Sequence, residues 1–324
     1  MDLYPLTFEP IYVPKIWGGR NLERLFARRL PPGEPIGESW ELADLPSAVS
    51  VVRNGPLAGR GLHELTRSLG PALLGEARPA GDGRFPLLLK LLDANDILSL
   101  QVHPDARAAA EIGGTAVVKS ECWYVVESRG GFIYDDLLPG TSLERFRRAV
   151  EQDQAERFVR RLDVAAGEFH RLPAGTVHAL GAGVVVAEVQ TPSDTTYRVT
   201  DWGRGREIHV EQSMRCIRVG LDPPGARASD PDSVDMAAFR VRRRRLDAGA
   251  PLDLPPGRLV AAMVLAAAPG THVRHAGGVL PRVDLAAGDT VLLPAALQAV
   301  QVVAGGPGLL LEITLGETGD SRDP

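Results

Sequence analysis

Apolar and polar residues alternate along this chain in short runs separated by Gly and Pro, which predicts a mainly β protein. Residues 97–103, ILSLQVH, are the sharpest case and read as a strand. Leu98, Leu100 and Val102 fall on one face, and Ser99, Gln101 and His103 on the other. Two strongly apolar runs flank it, LLLKLL at 87–92 and CWYVV at 122–126. Its polar face is therefore expected to line a site inside a sheet or barrel rather than to meet solvent.

Helical spacing interrupts this pattern in three places. Leu62, Leu65, Leu69, Leu73 and Leu74 predict a helical insertion at about 57–80, and Leu143, Phe146, Val150, Phe158 and Leu162 predict a second at 142–162. Pro104 and Asp105 open a short helix to residue 112. Residues 221–233 are rich in Pro, Gly and Asp and read as a linker, so the expected domains are 1–233 and 234–324. The tail GETGDSRDP is expected to be disordered.

An internal repeat supports the β reading. DVAAGEFHRLP at 163–173 aligns without gaps to DLAAGDTVLLP at 284–294, each a strand, an Ala-Ala-Gly turn, an acidic residue and a second strand. The register sets His178 against Ala299. One copy retaining a ligand and the other losing it suits one active and one structural domain.

Composition narrows the chemistry. Net charge is −5, which argues against nucleic-acid binding, and the basic run at 242–245 is flanked by acidic residues. No apolar run approaches twenty residues and the N-terminus carries no basic-then-apolar signal, so no membrane span is expected and the cytoplasm is the expected location. Cys122 and Cys216 are the only cysteines, so any metal is held by His, carboxylate or amide groups. Gln101 and His103, two apart on a strand, point the same way, and Glu121 offers an oxygen from a neighbouring strand.

Lys15, Lys90 and Lys119 are the only lysines among 36 basic residues. Lys90 and Lys119 flank the polar strand, where a compact ammonium and a planar guanidinium are not exchangeable. Glu188 interrupts VVVAEVQ on the face of Val184 and Val186; aimed into a barrel, it would have a raised pKa and serve as acid or base. A lone histidine is more often a core or surface residue than a ligand. His63, His170, His209, His272 and His275 are therefore left out of the site.

Taken together, LSLQVHPD, KSECWYV, LPAGTVHALGAG and SDTTYRVTDWGR, with PKIWGG, GESWEL and REIHVE, resemble type I mannose-6-phosphate isomerase (phosphomannose isomerase) in its short bacterial form. The resemblance implies two cupin-like domains, each a double-stranded β-helix or jelly roll. The N-terminal one would be catalytic and carry the helical insertions; the C-terminal one would be degenerate and lack metal ligands. It implies one Zn²⁺ per chain on Gln101, His103, Glu121 and His178, with Gln101 either a ligand or a support for one. It also implies interconversion of mannose 6-phosphate and fructose 6-phosphate by proton transfer between C1 and C2, with Arg198 as the catalytic arginine. Glu188 and Lys119 are the candidates for proton transfer, Lys90 and Lys119 for the phosphate, and Trp17 and Trp40 for packing against the sugar. The expected partner is a small sugar phosphate, and the chain a monomer or homodimer. The alternatives are a metal-dependent cupin dioxygenase and a non-catalytic sugar-sensing cupin; the latter should have lost a ligand or Arg198, and this chain keeps them.

Overall fold

A computed structural model of the chain describes residues 3–220, 228, 230–278 and 280–316. Most of the expected linker and nearly all of the tail thus lie outside the described residues. The protein is built of antiparallel sheets stacked in two sandwiches. The first pairs a six-stranded sheet (in order Phe169–Leu172, Glu121–Ser128, Val184–Gln190, Leu88–Ala94, Ile11–Gly19, Ile36–Leu42) with a five-stranded one (Val159–Asp163, Phe132–Leu137, His178–Leu180, Leu100–Val102, Tyr197–Thr200). The second pairs a six-stranded sheet containing Val260–Ala266, Gly308–Leu315 and Phe239–Leu246 with a four-stranded one. This is the mainly β architecture expected from the alternation.

Each sandwich has its own apolar interior. Trp17, Leu92, Trp123, Val125, Ile133 and Val186 fill the first; Val260, Val264, Val291, Val302 and Leu310 fill the second. The largest apolar cluster lies between the sandwiches, where the outer faces of the two six-stranded sheets meet. Leu89, Leu91, Tyr124, Val185, Ala187 and Val189 there pack with Val241, Met263, Leu311 and Ile313. A sheet covered on both faces explains why Leu88–Ala94 and Val184–Gln190 are buried at every position. The outer face of the five-stranded sheet is covered by the helices Ala106–Ile112, Leu143–Glu151 and Val210–Cys216.

The sequence repeat is a structural one. In each copy the Ala-Ala-Gly turn carries the chain from one sheet to the facing sheet. Gly167 and Gly288 sit at φ 93° and 90°, a conformation that suits glycine. Gly167 N and Gly288 N donate to the carbonyls of Val125 and Val264, and those two residues donate back to the carbonyls of Glu168 and Asp289. At the chain's start, Leu6–Thr7 crosses to the second sandwich and pairs with Thr290–Leu293.

Three elements differ from the sequence reading. The strand at 97–103 is laddered only over Leu100–Val102, and Pro104, which has no N–H to give, follows His103. The insertion at 57–80 splits into the helices Leu62–Leu69 and Pro71–Leu74, broken at Gly70 (φ 48°). The helix expected over 142–162 ends at Glu151; Val159–Asp163 is a strand instead, with Leu162 paired to Ile133. Phe158 and Leu162 imitate helical spacing, but they belong to a short 3₁₀ turn and to this strand.

Candidate metal centre

His103, Glu121 and His178 come from three different segments and meet inside the first sandwich, all of them buried. His178 sits opposite Gln101 across the Leu100–Val102 ladder, so both side chains face inward. Glu121 opens its strand with Cys122 turned the other way, into the core between the sandwiches.

The hydrogen bonding sets the character of the cluster. His103 Nδ1 and His178 Nδ1 each lie 2.9 Å from a backbone carbonyl, of Thr195 and Thr176. A carbonyl only accepts, so each Nδ1 carries the proton and each Nε2 presents a lone pair. Those lone pairs face Glu121: His103 Nε2 is 3.3 Å from Oε1, and His178 Nε2 is 3.3 Å from Oε2. Burial, and then the charge of Lys119, pushes the His103 pKa down to about 3, so no second proton settles there. Glu121 stays ionised despite its burial, because Lys119 lies 2.8 Å from Oε1. Two imidazole nitrogens and a carboxylate thus converge on one point, an arrangement that a cation resolves. Two bonds of ~2.1 Å at a tetrahedral angle put donors ~3.4 Å apart, close to the separations found here. Gln101 completes the group: its Nε2 lies 3.3 Å from His178 Nε2, and a half-turn of the amide offers Oε1 instead.

A cavity of about 210 Å³ opens above this cluster. Trp17, Lys90, Gln101, Lys119, Glu121, Glu188 and Arg198, all singled out from the sequence, line it; His103 and His178 do not, and join this group through Glu121. Its charges alternate. Lys15 binds Glu38 at 2.9 Å; Lys90 lies between Glu38 (3.5 Å) and Glu188 (3.1 Å). Burial alone would raise the Glu38 pKa, but Lys90 and Lys15 outweigh it and hold the group at about 2. Glu188 goes the other way, raised by burial and then by the charge of Glu121. Trp123 Nε1 donates to Glu188 Oε2 at 2.7 Å and fixes the carboxylate's orientation.

Glu38, Asp194 and Arg206 also line the cavity and were not anticipated. Glu38 had a signal: it shares a strand face with Trp40 in GESWEL, and Trp40 donates to it at 2.7 Å. Of the remaining histidines, His209 supports Arg198, accepting from its backbone N at 3.1 Å. His63 lies beside Asp44, and His170 beside Glu168.

Known proteins resemble this chain in sequence and in fold. The family model for the phosphomannose isomerase type I catalytic domain matches residues 6–124. The mannose-6-phosphate isomerase of Streptococcus mutans is 39% identical over 224 residues, 67% of this chain and 68% of that protein. Mannose-6-phosphate isomerase ManA of Bacillus subtilis is 37% identical over 231 residues, 69% of this chain and 71% of that protein. The crystal structure of the mannose 6-phosphate isomerase from Bacillus subtilis superposes with a TM-score of 0.81 at 26% identity, covering 95% of this chain and 99% of that one.

Proposed function

We infer the chemistry from one premise: the chain belongs to the type I phosphomannose isomerase family. Its reaction is the interconversion of mannose 6-phosphate and fructose 6-phosphate. The observation that carries the site assignment is the convergence of His103, Glu121 and His178, each imidazole Nε2 3.3 Å from a Glu121 oxygen, beside a cavity lined by paired acids and bases.

The donor set, two imidazoles, a carboxylate and the amide of Gln101, suits one zinc ion, which when bound supplies Lewis acidity toward the sugar's C1 and C2 oxygens. Glu188 is assigned as the base that takes the C2 proton of the aldose and returns it to C1. Its raised pKa brings it closer to the neutral range in which such a base works best. Lys119 is assigned to proton movement between O2 and O1, and Arg198 to the negative charge that develops as the enediol forms. Lys90 holds Glu188 in place and meets the sugar, and Trp17 packs against it. Residues 1–233 carry all of these groups, which leaves 234–324 as a supporting unit. The buried free thiols of Cys122 and Cys216 suit the reducing cytoplasm, with the chain acting as a monomer or homodimer.

The test is a coupled assay of the purified protein on mannose 6-phosphate, before and after chelation, with metal analysis alongside. Turnover that is lost on chelation and restored by zinc is expected. A protein that holds a full complement of metal and leaves mannose 6-phosphate unchanged overturns the reading.

A further inference from the structure

The two imidazoles of the metal centre are held by unequal means. His178 gives its Nδ1–H to the carbonyl of Thr176, two residues back on its own segment, at 2.9 Å. His103 gives its Nδ1–H, also at 2.9 Å, to the carbonyl of Thr195, 92 residues away in sequence. His103 lies just past the end of the Leu100–Val102 ladder, so the orientation of its ring is left to that distant carbonyl.

Thr195 belongs to a strap, residues 191–196, that joins Val184–Gln190 to Tyr197–Thr200 without forming a strand or a helix. Side chains rather than a ladder fix it. The fully buried Gln190 amide donates through Nε2 to the carbonyls of Thr191 at 2.9 Å and Ser193 at 2.6 Å. Ser193 Oγ accepts from Thr195 N at 3.2 Å and donates to the carbonyl of Val117 at 3.1 Å. Thr195 Oγ1 accepts from Val117 N at 3.2 Å and donates to the carbonyl of Thr115 at 3.4 Å. Thr191 Oγ1 repeats the pattern, accepting from Ser120 N and donating to the carbonyl of Val118, each at 3.2 Å. Three hydroxyls thus tie the strap to residues 115–120, the segment that delivers Lys119 and Glu121 to the site. The Val117 side chain is 48% exposed, so these bonds hold its peptide more than apolar burial does.

We propose that the hydroxyls of Ser193 and Thr195 are positioning groups for the metal: they fix the Thr195 carbonyl and, through it, the direction in which His103 presents Nε2. This role rests on the metal reading of His103, Glu121 and His178. A carbonyl free to shift lets the ring turn, and an imidazole turned off its axis loses much of its bond to an ion. The same hydroxyls grip Val117, so ordering of the strap and binding of the ion are linked, and each should strengthen the other.

Zinc affinity, measured by competition with a chromogenic chelator, tests this together with hydrogen–deuterium exchange over residues 115–118. Thr195→Val keeps the shape and the backbone carbonyl but removes the hydroxyl. It and Ser193→Ala should each weaken zinc binding by about tenfold or more, and Thr195→Ser should restore most of the affinity. Zinc should slow exchange at 115–118 in the wild type, and by less in Thr195→Val. Ser142→Ala removes a hydroxyl that caps the remote helix Leu143–Glu151, where it accepts from Arg145 N at 3.2 Å; it should lower Tm and leave zinc affinity alone. Zinc affinity within about twofold of the wild type in both strap variants, or an equal loss in Ser142→Ala, overturns the proposal. A wild-type protein that takes up no zinc overturns both the metal reading and this role. One that binds zinc, responds to the strap variants and leaves mannose 6-phosphate unchanged overturns the isomerase reading and leaves the strap's role standing.

Discussion

His103 and His178 face Glu121 through Nε2 because each Nδ1–H is spent on a backbone carbonyl, and this separates two kinds of residue in the site. His178→Ala removes a donor and should weaken metal binding by at least ~100-fold, measured by competition with a chromogenic chelator. With Glu188 as the proposed base, Glu188→Gln should lower kcat by about 10²–10⁴ with metal affinity unchanged. Retention of stoichiometric zinc by His178→Ala would show that the ligand set is wrong.

The two Ala-Ala-Gly turns are equivalent as elements but not in their surroundings. The nearest atom to a Cβ on Gly167 would be the flexible end of Arg243, at 3.3 Å, whereas one on Gly288 would meet Phe26 Cβ at 2.7 Å. Both substitutions to alanine carry the ~1–2 kcal/mol penalty of a left-handed residue. Gly288→Ala should add ~1–3 kcal/mol of overpacking, so chemical denaturation should rank it the less stable of the two. The turn after Thr200 behaves as an electrostatic element. Burial raises the Asp201 pKa, but Arg206 and Arg204 outweigh it and hold the group below the usual carboxylate range. A depressed folded value contributes stability above the unfolded pKa and loses it as pH falls. Asp201→Asn should therefore lower Tm at neutral pH, with the gap to wild type closing below about pH 4.

Across the whole molecule, the largest core belongs to neither sandwich alone. Trp17, Trp40, Trp123 and Trp202 all lie in the first sandwich or on its covering face, so fluorescence reports that half, whereas circular dichroism reports both. Leu311→Ala, in the second sandwich's contribution to the shared core, should cost ~2–5 kcal/mol. Its unfolding midpoint should fall equally by both probes. A fluorescence midpoint that stays put while circular dichroism shifts would mean that the halves unfold independently.

Much of this was legible in the sequence because it is local. Side chains two apart on a strand share a face, which put Gln101 beside His103 and Glu188 beside Val186. A Gly in a repeated turn needs a conformation other residues resist, which exposed the duplication. Motif spacing placed His103, Glu121, His178 and Arg198 in one family pattern. The strand at 159–163 was not legible, because Phe158 and Leu162 satisfy helical spacing and only pairing with Phe132–Leu137 selects the extended form. Tertiary structure alone decided which charges neutralise each other: Glu38 reaches Lys90, and Asp201 holds Arg206 while Arg198 is left without an acid among the described residues. Such pairings depend on how separate strands and turns are brought together and on what burial does to each charge, and no local periodicity encodes either.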